Sequence, residues 1–195
     1  FLYISFSRTV KQNYEPIYRL KKYVTRGGKL VGLGGIITAV SYLLFPEFFI
    51  LFGALHFIGV SVVLGYIILE LSTRWEKTYR ISFFITMSVG VFLISEPVRS
   101  LQTNNPFLLW LGITPPEFQS LDYFPVLPWF GLVVSGVIAG EILYPDGNRR
   151  WKFYITNFSS LEILGRNALI IYFLHQPLIY SGALLLGHLS RLGTG

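Results

Sequence analysis

Cysteine is absent from the chain, which excludes disulfides, thiolate-held metal and a cysteine nucleophile. Charge is scarce as well. Only 13% of the 195 residues are Asp, Glu, Lys or Arg against 52% hydrophobic, too few to assemble a water-facing surface. Acidic residues are the rarer sign, ten against sixteen basic, giving a net charge of +6. In a soluble protein that excess would raise nucleic acid as a partner. Here the Lys and Arg stand between long apolar runs, so the partner they indicate is the anionic face of a lipid bilayer, and nucleic acid is not expected. Walker, dinucleotide-glycine, GxSxG and HExxH patterns are missing, and three scattered histidines without cysteine argue against a metal site.

What is present is apolar length. Five runs, at about 28–45, 48–71, 81–98, 124–144 and 163–189, are long enough to cross a hydrocarbon core about 30 Å thick. They lack the ten-residue alternation of a membrane barrel, and in lipid the backbone must pair within its own segment, so an all-α polytopic bundle forming a single domain over 1–195 is expected. Residues 1–7 are apolar without a charged leader or a cleavage site, and read as the tail of a helix that begins upstream.

The loops test this path. With 8–29 placed in the cytoplasm, 72–80 and 145–162 return to the same side, and all sixteen Lys and Arg except Arg99 and Arg191 collect there. The longest external connection, 99–122, carries a short apolar stretch at 107–113 that cannot span; a half-buried helix or lid and an ordinary interfacial loop both fit it. Gly136 with Gly140, and Gly32, Gly34 and Gly35, are candidates for close helix approach.

Polar groups inside apolar spans are costly and become functional candidates by default. His56, in FGALHFIGVS, is placed to act as acid, base or hydrogen-bond donor, or simply to tie two helices together. His175, in LGRNALIIYFLHQPLIY, shares a polar stripe with Asn167 and Tyr172 at about 100° per residue. Pro177 frees a backbone carbonyl there, so His175 either faces a cavity or satisfies the freed backbone. Arg166 and Asn167 open the last span from the basic side, where the arginine meets a phosphate, an acid or lipid headgroups. Asp122, ahead of Tyr123, stands at the outer mouth of the fourth span as a helix cap or as part of a site.

Three segments together resemble a known family: FGALHFIGVSVVLGY at 52–66, SLDYFPVLPWFGLVVSGVIAGEILYP at 120–145 and LGRNALIIYFLHQPLIY at 164–180. They are similar to prokaryotic membrane proteins with the catalytic-domain fold of heparan-α-glucosaminide N-acetyltransferase, and the resemblance covers nearly the whole chain. It implies a transmembrane acyltransferase in a prokaryotic cytoplasmic membrane, with acetyl-CoA as donor and a sugar or envelope-type acceptor. By the same resemblance His175 and His56 are the catalytic candidates, and Arg166, Asn167, Asp122 and Tyr123 the substrate- or cofactor-binding ones. The family's proposed catalytic histidine falls upstream of Phe1. A non-enzymatic subunit of a larger complex or a transporter is the alternative for such a bundle, and a homo-oligomer or a membrane complex is among its candidate partners.

Overall fold

The computed structural model describes residues 1–148, 150, 159–172, 174 and 182. The chain divides into two compact units, Phe1–Trp151 and Lys152–Gly195. The first holds five α-helices: α1 Leu2–Lys11, α2 Pro16–Leu44, α3 Ala54–Leu71, α4 Lys77–Arg99 and α5 Val126–Leu143, with short 3-10 turns at Pro106–Leu111 and Pro145–Gly147. In the second, α6 runs Ser159–Arg166. The described residues contain no β-strand, as an all-helical membrane bundle requires.

Among the described residues four helices, α2 to α5, are long and apolar enough to cross a bilayer, against the five spans expected; most of the fifth, 163–189, lies outside the described residues. Two boundaries also shift. The apolar run begins α2 at 28, yet the helix begins at Pro16 and takes in much of the basic segment 8–29. Lys and Arg are good helix formers, Pro16 suits a first turn, and nothing breaks the chain before Leu44. Its 29 residues span about 43 Å, so the basic first turns project beyond a 30 Å core. The apolar run likewise begins the next span at 48, but α3 begins at Ala54, because 48–52 is taken up by backbone pairing with another loop.

The helices pack as antiparallel neighbours, α2 on α3 and α4 on α5, around Phe57, Tyr66, Phe84, Phe130, Val134 and Val137. Close approach occurs mostly at glycines other than those expected from the sequence. A methyl at Gly27 would lie 2.6 Å from the Gly59 carbonyl oxygen, so α2 and α3 cross backbone against backbone. The α4–α5 crossing is made where Ser88 Oγ donates to the Gly131 carbonyl at 2.9 Å and meets Ser135 Oγ at 2.9 Å. Gly32, Gly35 and Gly136 face open space, whereas Gly34 and Gly140 are covered.

The outside of the bundle is as apolar as its core. On α4 the outward face carries Ile85, Val89, Leu93 and Ile94 while Ser88 and Ser95 point inward. That pattern suits lipid outside and interhelical hydrogen bonding inside.

Both ends of the first unit are tied. At the basic end Arg19 Nε donates to Glu70 Oε2 at 2.9 Å and Nη2 bonds the other oxygen, while Arg80 Nε donates to Glu141 Oε1 at 2.8 Å. Tyr66 OH adds a bond to the Pro16 carbonyl at 3.2 Å. At the opposite end Leu121 N–H donates to Phe48 O and Phe124 N–H to Phe52 O, both at 3.0 Å.

Candidate functional site

The opposite end is recessed. His56, in the first turn of α3, lies level with Gly34 of α2, and α2 continues ten residues past that level to Leu44, about 15 Å. The chain returns from Leu44 to Ala54 without helical structure, and 121–124 pairs with it along 48–52. Non-helical backbone at this depth must be satisfied by protein, since lipid offers no partners. The Leu121–Phe48 and Phe124–Phe52 bonds do this, together with Ser120 Oγ, which donates to Phe49 O at 3.0 Å and to Asp122 O at 3.1 Å.

Two glycines make room for the side chains of His56 and Asp122. A methyl at Gly34 would lie 2.7 Å from Cε1 of His56, so the imidazole rests directly on the α2 backbone. Its other face stacks on Phe52, with ring centroids 5.6 Å apart and planes at 28°. Gly53, the residue before α3, lies against the carboxylate of Asp122, and Asp122 Oδ2 accepts the Ala54 N–H at 3.0 Å. Gly53 has no side chain with which to cap its own helix, so the cap comes from a residue 68 positions away. The carboxylate also complements the positive end of the helix dipole.

Tyr123 follows Asp122 but points elsewhere. Its hydroxyl donates to the Leu109 carbonyl at 2.6 Å, and its ring packs edge-on against Phe118, centroids 5.0 Å apart. Burial pushes the phenol up to about 12, opposed by the nearby charge of Arg99. Leu109, 5% exposed, anchors the 3-10 turn Pro106–Leu111, so most of the 107–113 stretch lies in a short half-buried helix that ends at Gly112.

Asp122 is therefore brought to the start of the helix that carries His56, while Tyr123 turns away toward Leu109 and Phe118. The remaining candidates belong to the second unit. Arg166 sits exposed in the last turn of α6, and Asn167 Nδ2 donates to its own helix at Ile163 O, 2.9 Å, while His175 lies outside the described residues.

At the basic end lies a cleft of about 430 Å³, lined by Tyr3, Phe6, Val10 and Leu69 with Ser7, Lys11, Thr73, Arg80 and Asn148 among its polar members. Composition pointed to a basic face but not to this cleft. Nor did it single out Glu141, 1% exposed, whose signal is one acid in an otherwise apolar run.

Residues 1–177 match the family model described as "Heparan-alpha-glucosaminide N-acetyltransferase, catalytic". No curated protein and no solved structure matches the chain. With helices suited to lipid and a match over most of its length, the chain belongs to the family of the heparan-α-glucosaminide N-acetyltransferase catalytic domain.

Proposed function

We propose that the chain works as one transmembrane domain that moves an acetyl group from acetyl-CoA, bound from the basic end, to a hydroxyl or amine of a sugar or envelope-type acceptor at the recessed end. The observation that carries this reading is the imidazole of His56 in the first turn of α3, seated on the α2 backbone at Gly34, in a helix whose first N–H is capped by the carboxylate of Asp122 from a non-helical segment. From His56 to Leu69, on the wall of the basic cleft, is thirteen helical residues, about 20 Å, a length suited to the extended pantetheine arm of the donor. The cleft's Lys11 suits the donor's phosphates; Arg166 is a substrate- or cofactor-binding residue on the resemblance alone. This orientation puts 8–29, 72–80 and 145–162 in the cytoplasm, on the side where the donor is made.

In the step itself the acceptor O–H or N–H gives its proton to His56 as the acceptor atom bonds to the thioester carbonyl carbon. Collapse of the tetrahedral adduct breaks the C–S bond, and the leaving thiolate takes the proton back from the imidazolium. His175 is the second proton carrier on the resemblance, with Asn167 and Tyr123 holding substrate.

The full chain in detergent should consume acetyl-CoA with release of free thiol, and His56→Ala should lower kcat by about 100-fold or more. Unchanged turnover in both His56→Ala and His175→Ala would remove these residues from the mechanism.

A further inference from the structure

We propose that the Pro106–Leu111 turn is a lipid anchor, whose Phe107 and Trp110 rings enter the headgroup–acyl boundary of the leaflet opposite the basic end. The two rings share one face, because side chains three apart eclipse in a 3-10 helix. That face is bare, Phe107 being 81% exposed and Trp110 40%. Its depth follows from the helices beside it. Gly131 of α5 lies against Phe92 of α4 and its carbonyl accepts from Ser88. Val126, five residues earlier, is therefore level with about residues 93–97 of the antiparallel α4, the stretch that turns Leu93 and Ile94 outward to lipid. The turn is fixed at this level. A methyl at its cap, Gly112, would lie 3.2 Å from the Leu127 carbonyl oxygen, and Tyr123 OH donates to Leu109 O at 2.6 Å. Phe107 and Trp110 thus continue the apolar outer surface of the helices instead of rising above it.

The backbone of the turn is closed, as lipid requires. The Asn105 side chain accepts the Phe107 N–H at 3.0 Å and its carbonyl accepts the Leu108 N–H at 3.2 Å. At the other end Gly112 N–H donates to Leu109 O and Ile113 N–H to Leu108 O. Polar residues are confined to the neck, where Gln102 bridges to Thr114 and Thr103 N–H donates to Thr114 O at 3.3 Å. An apolar tip on a polar neck matches the gradient at a bilayer surface, where aromatic rings settle and apolar faces sink about 5–10 Å. A platform for a sugar would need hydrogen-bonding side chains beside the rings, and the tip PFLLWL offers only the indole N–H.

The four tryptophans reduce to one reporter, Trp110, in a chain carrying Trp75→Phe, Trp129→Phe and Trp151→Phe. In phosphatidylcholine nanodiscs, which leave both faces open to water, that full chain should lose most of its emission when the acyl chains are brominated near the headgroup. It should lose less when they are brominated near the terminal methyl, and keep its emission against aqueous iodide. Phe107→Cys in the otherwise native chain gives a second reading with every tryptophan in place. A nitroxide on that cysteine should collide more often with oxygen, which concentrates in lipid, than with a water-soluble nickel chelate. Quenching by iodide but not by bromine, or nickel collisions above those of oxygen, would overturn the anchor. Emission that responds to a soluble glycan and not to bromine overturns it in favour of an acceptor platform. Nitroxide broadening that vanishes on dilution with unlabelled chain overturns it in favour of a second copy.

Discussion

Removing Arg80 should damage the protein more than removing its partner, although both belong to one ion pair. The Glu141 side chain is 1% exposed and that of Arg80 is 21%. Both guanidinium contacts fall on Oε1, and Oε2 has no hydrogen-bond partner. In Arg80→Ala the carboxylate is left buried with neither guanidinium bond, a situation that costs about 3–5 kcal/mol. In Glu141→Ala the long arginine side chain already reaches the edge of the bundle and can swing its charge toward water or headgroups. The cost there is the lost charged hydrogen bonds, about 1–3 kcal/mol. Replacing both, Arg80→Met with Glu141→Leu, removes the desolvation cost together with the attraction and should come close to wild type. Reversible unfolding in mixed detergent micelles, run as a double-mutant cycle, reads all three values. Equal losses in the two single variants, or a double variant as damaged as their sum, would show that burial of Glu141 does not govern this joint.

The geometry sets three further outcomes. Gly34→Ala should push the imidazole off the α2 backbone and lower kcat by about tenfold or more in the acetyl-transfer assay, whereas Gly35→Ala, which points a methyl into open space, should leave it unchanged or add about 0.5–1 kcal/mol of stability. Tyr123, with its phenol raised from 10.0 to about 12, favours the neutral form in the folded chain, so its contribution is fully present below about pH 10 and is lost as pH rises from 10 toward 12. Tyr123→Phe should cost about 1 kcal/mol at neutral pH through the lost bond to Leu109, and should flatten that alkaline decline in a stability titration. Because the chain has no cysteine, single cysteines report topology cleanly. Asn13→Cys and Asn148→Cys should react with an impermeant maleimide from one side of the membrane and Asn104→Cys from the other, and reaction of the first two from opposite sides would break the proposed orientation.

The apolar runs at 81–98 and 124–144 found α4 and α5 to within a few residues, because a membrane helix must be both long and apolar and little else competes for such a run. The run at 48–71 misplaced the start of α3, since 48–53 is as apolar as the helix after it and only its pairing with 121–124 makes it non-helical. Partnerships between distant positions were beyond reach for the same reason. Nothing local to Ala54 announces a cap 68 residues away, nor anything near Arg80 an acid 61 residues away. His56 and Asp122 stood out singly because polar groups are rare in these runs; that they share one recess comes from the depth at which two loops meet. Gly34 is the instructive glycine: in sequence it is one of a cluster, and only the imidazole against it separates it from Gly32 and Gly35.

The placement of charge bears on the choice between acetyl transfer and ion-coupled transport. Glu70 and Glu141 lie in the last turns of α3 and α5, each held by an arginine from the first turns of α2 or α4, and Asp122 lies before α5 begins. Between these levels the helix crossings are closed by glycine backbone and by the hydroxyls of Ser88 and Ser135. An ion driven across such a bundle would need compensating acids along its route, where transporters concentrate them. The proposed acetyl transfer needs none: the acyl group is uncharged, the donor's phosphates would stay at the basic end, and the charge created in the proposed step is the imidazolium of His56. Among the described residues the acids of the helices sit at the ends of the bundle, a distribution better matched to the proposed transfer of an uncharged acyl group than to passing a cation from face to face.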